Sequence, residues 1–169
     1  MSGSANGEQA KTDRHPLRVA FEGRDFDGVA EALAPDVVLN SPITALFQFQ
    51  GRDRVTELLG LVREVFEDLH YEAEFGDAES RAIVFRARVE GHELEGTDIL
   101  RLDEEGRVRE ITVFVRPLPG LTALMAALAP RLAAERGRTR SIAAAGVRPV
   151  AALTRTVDRV GARLVGGHG

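Results

Sequence analysis

The sequence predicts an α+β fold, and three observations carry that reading. Apolar residues recur at helical spacing between Leu17 and Leu33 and again from Val55 to Phe66, two-residue alternation marks the segments between Leu69 and Arg116 with Phe114 out of pattern, and an apolar helical segment follows Pro117. The alternating region is the centre of the chain, and within it Glu93 to Pro117 reads as two antiparallel strands around a tight turn. Leu94, Asp98, Leu100 and Leu102 share one face there, while Glu93, Glu95, Thr97, Ile99 and Arg101 share the other. Asp98 is thereby expected among leucines, on a face suited to a pocket.

Each element follows in order. Residues 1 to 12 are small and polar and are expected to lack structure. Asp13 is placed to cap a first helix that runs to about Glu22 and carries Leu17, Ala20 and Phe21 inward, with Gly23 breaking it. A second helix is expected from Asp25 to Leu33, ended by Ala34-Pro35, and Val37 to Leu39 reads as a short strand. Asn40 to Gly51 fits neither period and reads as a loop that presents Ile43, Leu46, Phe47 and Phe49. Arg52 to Phe66, with Val55, Leu58, Leu59, Val62, Val65 and Phe66 on one stripe, predicts an amphipathic helix of about four turns.

Four strands are then expected as a meander. In the first, Leu69, Tyr71, Ala73 and Phe75 point inward; in the second, Ile83, Phe85, Ala87 and Val89 do. Gly91 and His92 fit the turn into the third strand, and the acidic run before Gly106 fits the turn into the fourth. A helix from about Leu121 to Glu135, kinked or restarted at Pro130, closes the body. The boundaries predicted are a disordered terminus over 1–12, one domain over 13–136, and a basic linker with an amphipathic tail helix over 137–169. The tail repeats Val150, Leu153, Val157, Val160 and Leu164 at spacings of 3, 4, 3 and 4.

Composition narrows the chemistry. The chain has no cysteine, which removes disulfides, thiolate nucleophiles and cysteine-bound zinc. No run approaches the roughly 18 apolar residues that span a bilayer, and no basic-then-apolar leader opens the chain, so a cytoplasmic protein is expected. The formal charge of −4 hides an asymmetry: residues 136 to 169 hold seven arginines against Asp158 alone, a balance of +6 that leaves −10 on the first 135 residues. An acidic body argues against nucleic-acid binding. Contact of the basic tail with an anionic membrane is the weakest of three readings, behind docking on its own domain and pairing with another helix. The four histidines, His15, His70, His92 and His168, have no ligand spacing, and neither a phosphate-binding glycine loop nor a dinucleotide fingerprint occurs. No metal and no cofactor are implied.

The order of elements from Asp13 to Pro117, with Arg24-Asp-Phe-Asp-Gly-Val-Ala-Glu-Ala-Leu-Ala-Pro-Asp-Val-Val38, Gly51-Arg-Asp-Arg-Val55 and Thr97-Asp-Ile-Leu-Arg-Leu-Asp-Glu-Glu-Gly-Arg-Val108, resembles the SnoaL-like branch of the nuclear transport factor 2-like superfamily. The resemblance implies a cone-shaped curved antiparallel sheet wrapped on three N-terminal helices, with extra C-terminal helices, an apolar pocket, and a homodimer through the outer face of the sheet. Its ketosteroid isomerases imply a base after the first strand, a tyrosine on the first helix and an acid on a central strand. Here Ser41 and Leu17 stand at the first two positions and Asp98 matches the third. Its epoxide hydrolases imply an arginine, two carboxylates and a water-positioning asparagine; Arg88, Glu90 and Asn40 match, and Val113 replaces the second carboxylate.

Two readings of Asp98 follow from its residues alone. It is a general acid or base whose pKa is raised by desolvation, or a structural carboxylate hydrogen-bonded to a backbone group or to Tyr71. The first makes the protein a cofactor-free isomerase, cyclase or hydrolase acting on a small hydrophobic or polycyclic molecule, with Tyr71, Asn40 and Ser41 as orienting groups. Leu17, Phe21, Phe47, Phe66, Phe85, Leu100 and Val113 are then the expected pocket lining. The second makes it a non-catalytic ligand-binding or interaction module of the same fold.

Overall fold

The computed structural model describes residues 14–43 and 48–135. Four helices and six strands follow one another as α1 (Pro16–Gly23), α2 (Phe26–Glu31), β1 (Leu33–Asn40), β2 (Gln48–Gln50), α3 (Arg52–Val65), β3 (Glu67–Gly76), β4 (Ser80–Val89), β5 (His92–Leu102), β6 (Val108–Arg116) and α4 (Leu118–Glu135). The class is mixed α+β, as expected, with one open sheet in the order β2-β1-β6-β5-β4-β3. Asp13, Phe47 and the tail over 137–169 lie outside the described residues, and so do the roles expected of them.

One pairing departs from an antiparallel sheet. β1 runs parallel to β6, with Leu39 opposite Ile111 and Asn40 opposite Thr112, and its register shifts between Leu33 and Val38. Parallel neighbours need a long connection, and the chain from β2 through β5 supplies it. β2 pairs antiparallel with the end of β1, Leu39 opposite Phe49, in a stretch whose sequence reads as loop because three residues are too few to show a period.

The chain divides into two compact units. The first takes residues up to Gly60 together with Glu72–Val84 and Asp98–Val113; the second takes Leu61–Tyr71, Phe85–Thr97 and the chain from Phe114. In the first unit α1 and α2 pack on each other, and Leu17, Phe21, Val29, Leu33, Val37, Leu39, Val55, Ile83, Leu100, Val108 and Ile111 are buried. His15, in place of Asp13, caps α1 by accepting the Leu17 amide on Nδ1 at 3.1 Å. α2 is capped by Asp25, whose carboxylate accepts the Gly28 amide at 3.0 Å.

A buried charge cluster ties α1 to β3. Arg18 Nη1 lies 3.3 Å from Glu74 Oε2, and both side chains are less than one-tenth exposed. The backbone N–H of His15 donates to the other Glu74 oxygen at 2.8 Å, and Arg81 reaches that oxygen at 3.5 Å. Strict alternation would have turned Glu74 outward and Phe75 inward. The strand slips at Ala73–Glu74 instead, and Phe75 is 64% exposed. The physical reason is electrostatic, since two arginines of this unit converge where Glu74 points.

In the second unit Val65, Phe66, Phe85, Ala87, Val89 and Leu94 pack with Ala123, Leu124, Ala127 and Leu128 of α4. The Phe66 and Phe85 ring centroids are 5.8 Å apart, and Tyr71 meets Phe85 edge-on at 6.4 Å. Gly96 makes room for this: a Cβ there would fall 2.5 Å from Phe85 Cζ and 2.7 Å from the Phe114 carbonyl. α4 runs unbroken through Pro130.

Removing Glu74's charge takes away the carboxylate that buried Arg18 and Arg81 both face, and losing one member of a buried pair costs roughly 3–5 kcal/mol. Glu74→Gln is expected to lower unfolding free energy by that amount in urea titrations. Arg88→Ala, which breaks the exposed pairs with Glu67 and Asp68, is expected to cost less than about 1 kcal/mol.

Candidate functional site

Hairpin geometry brings Asp98 to its position. The turn between β4 and β5 is Glu90–Gly91, with φ of 49° and 76°, one residue earlier than the sequence suggests. Two left-handed residues match the twist of paired strands, which is why a two-residue turn holds here. The register it starts carries Arg86 beside Glu95 at 3.8 Å and directs the Leu102 amide to the Glu79 carbonyl at 2.8 Å. By the same count Ile83 lies beside Asp98. On the other side, Glu95 meets Arg116 at 2.7 Å and Arg101 meets Glu110 at 3.9 Å, a register that sets Val113 beside Asp98.

Asp98 therefore has an isoleucine on one flank and a valine on the other. Along its own strand the alternate positions Leu94, Gly96, Leu100 and Leu102 are buried, so the carboxyl belongs to the sheet's core face, as strand alternation predicts. Among the described residues it has no hydrogen-bond or ion-pair partner, so the bond that a structural aspartate requires is missing. Burial alone pushes its pKa up to about 7. The residue is nonetheless partly accessible. A carboxyl that protein atoms desolvate while solvent still reaches the residue is recessed, not sealed.

Asn40 lies on the opposite face of β1 from buried Leu39. Its Nδ2 donates to Glu110 Oε1 at 2.8 Å and to Thr112 Oγ1 at 3.1 Å, and its Oδ1 accepts from Gln48 Nε2 at 2.9 Å. This corrects the expectation of an orienting amide beside Asp98: the amide is fully used in a cross-strand network. Ser41 Oγ accepts the Ile43 amide at 3.2 Å, a local turn contact. Tyr71 belongs to the second unit, with Phe66 and Phe85. Of the expected lining, Leu17, Phe21 and Leu100 are buried in the first unit, and Val113 is half-buried there. Arg88 is engaged on the exposed side of β4, within 3.7 Å of Glu67 and 2.5 Å of Asp68, and Glu90 is an exposed turn residue. No group of three potential metal ligands occurs among the described residues. Ile83 went unrecognised as a neighbour of Asp98, although counting outward from the Glu90–Gly91 turn finds it.

With that geometry in place, comparison with known proteins identifies the family. The SnoaL-like domain model matches residues 15–111, and the chain belongs to that family. A crystal structure of a steroid delta-isomerase from Pseudomonas aeruginosa is 34% identical, covers 78% of this chain and 95% of its own, and superposes with a TM-score of 0.66. A candidate ketosteroid isomerase from Kribbella flavida DSM 17836 is 23% identical over 65% of this chain and 79% of its own, with a TM-score of 0.54. A protein from Mesorhizobium loti with the nuclear transport factor 2-like fold is 18% identical over 69% of this chain and 98% of its own, with a TM-score of 0.56. The last two show the shared fold. No curated protein matches the sequence. Among the described residues no helix is long and apolar enough to cross a membrane.

Asp98 makes stability depend on pH in a defined direction. Its carboxyl holds its proton to about pH 7 when folded, against 3.8 for an ordinary aspartate. The stability linked to that proton is complete below about pH 3.8, declines as pH rises toward 7, and is constant above. Asp98→Asn has no proton to lose. Its stability relative to wild type is expected to rise between pH 4.5 and pH 8 by on the order of a few kcal/mol, read from urea denaturation at both pH values.

Proposed function

We propose that the protein is a cofactor-free proton-transfer enzyme of isomerase or cyclase type, acting on a small, uncharged hydrophobic or polycyclic ketone, with Asp98 as the group that moves the proton. The observation that carries this reading is a desolvated carboxyl between Ile83 and Val113 that has no hydrogen-bond or ion-pair partner among the described residues. A pKa of about 7 leaves comparable fractions protonated and ionised at neutral pH, the condition under which one group both takes and returns a proton efficiently. Membership in the SnoaL-like family and 34% identity to a protein named as a steroid delta-isomerase support the same class of chemistry.

The step balances on one residue. The Asp98 carboxylate removes a proton from the carbon next to the substrate carbonyl, the electron pair moves to the carbonyl oxygen as an enolate, and the new carboxylic acid returns the same proton to a carbon further along the conjugated system. The product is an isomer, with no net loss of atoms. Leu17 and Ser41, where the family's isomerases hold a tyrosine and a base, supply neither role, which leaves acid and base duties to a single carboxyl. An apolar site favours a neutral ketone, because a second anion beside Asp98 would raise the cost of ionising it further.

A ligand-binding or interaction module is the competing reading. It is favoured by exposed apolar residues, Phe114 and Leu118, more than half accessible on the second unit, which suit a contact between two copies.

The deciding experiment follows conjugated-enone absorbance with a panel of neutral cyclic β,γ-unsaturated ketones. Wild type is expected to convert at least one, and Asp98→Asn to lose roughly 100- to 10,000-fold in kcat. Binding without conversion by wild type, or full turnover by the variant, would overturn the proposal.

A further inference from the structure

We infer that His15 is a proton-sensitive latch on the first turn of α1, whose ring lets go of the Leu17 amide when it is protonated while keeping its bond to the β5–β6 turn. Both ring nitrogens are in use. Nδ1 accepts the Leu17 amide at 3.1 Å, and Nε2 lies 3.0 Å from the Gly106 carbonyl. A backbone N–H can donate only to an unprotonated nitrogen, and a carbonyl can only accept. The ring is therefore neutral, with its one proton on Nε2. This arrangement joins residues 91 positions apart in sequence through one side chain that is 5% exposed.

A second proton would go to Nδ1, directly opposite the Leu17 N–H. The cap acceptor becomes a donor, two N–H groups face each other, and the first turn of α1 loses the partner for one of its free amides. The Nε2–H to Gly106 bond is compatible with either form, so the loss falls on α1. Four elements set the balance at the ring. Arg18 on α1 pairs with Glu74 at 3.3 Å; the Glu74 carboxylate on β3 accepts the His15 backbone N–H at 2.8 Å; Arg81 on β4 reaches Glu74 at 3.5 Å; the Gly106 carbonyl faces the ring from the β5–β6 turn. In that turn Asp103 and Glu105 are taken up by Arg107. Burial of the ring holds its pKa below the ordinary value: the bond to the Gly106 carbonyl and the Glu74 carboxylate favour the imidazolium, Arg81 opposes it, and burial outweighs the two that favour it. The latch is shut at neutral pH and opens in acid.

The Leu17 amide reports the latch directly, since its acceptor is His15 Nδ1. Amide hydrogen exchange, corrected for intrinsic rates, is measured from pH 7.5 to 4.5 on wild type and His15→Asn. Asparagine also caps helices but has no proton to gain in this range. Wild type is expected to lose at least tenfold of its Leu17 protection over that span, and His15→Asn to show the same protection throughout. Unchanged wild-type protection, or an equal loss in the variant, would overturn the latch. Should the variant not fold, a titration of wild type by NMR decides the matter. The His15 ring and the Leu17 amide are expected to shift together with one midpoint below 6.5, and a ring that titrates while Leu17 stays still contradicts the proposal.

Discussion

Antiparallel register across β4, β5 and β6 is the constraint on which the structure depends. It begins in two short turns: Glu90–Gly91, with both residues left-handed, and Asp103 to Arg107, where Asp103 accepts the Arg107 amide at 2.8 Å and its guanidinium at 2.9 Å. A slip of one residue at either turn would send every side chain of a strand to the opposite face. With the register held, Ile83, Leu100 and Ile111 enter the core of the first unit and Phe85 and Leu94 that of the second. The same register obliges Asp98 to enter with them. The acid's environment is therefore not set by a local motif. It is inherited from the turns that flank the hairpins.

Contrast with other buried and part-buried polar groups gives Asp98 its meaning. Glu74 is held by two arginines and a backbone amide, His15 uses both ring nitrogens, and Asn40 uses both ends of its amide. Each offsets its desolvation with contacts, the usual behaviour of buried polar atoms. Asp98 meets the same cost by holding its proton to higher pH and by remaining partly accessible. That cost serves no structural contact on its flanks, which are aliphatic. Groups perturbed in this way are enriched at functional sites.

The parts of this legible in the sequence were those with a long, regular period. Five consecutive same-face positions from Leu94 to Leu102 placed Asp98 on the core face, and the apolar stripe from Val55 to Phe66 marked α3. Short or mixed segments hid the rest. β1 carries buried and exposed residues as two pairs before it alternates, so its Val-Val-Leu-Asn run did not show that Asn40 faces away from Leu39. β2 is three residues long, and its pairing, like the parallel contact of β1 with β6, depends on partners distant in sequence. Phe75 and Glu74 exchanged roles because a buried ion cluster overrode hydrophobic alternation. His15 caps α1 through its bond to the Leu17 amide and also reaches a turn 91 residues away, a contact that no local pattern encodes.

The central claim is that the Asp98 carboxyl, without a partner among the described residues, keeps its proton to neutral pH because burial beside Ile83 and Val113 desolvates it. Carboxyl carbon chemical shifts of 13C-labelled protein, assigned with Asp98→Asn, test it most directly. The account predicts a midpoint near 7 for Asp98. A midpoint near 4 for Asp98 would contradict it.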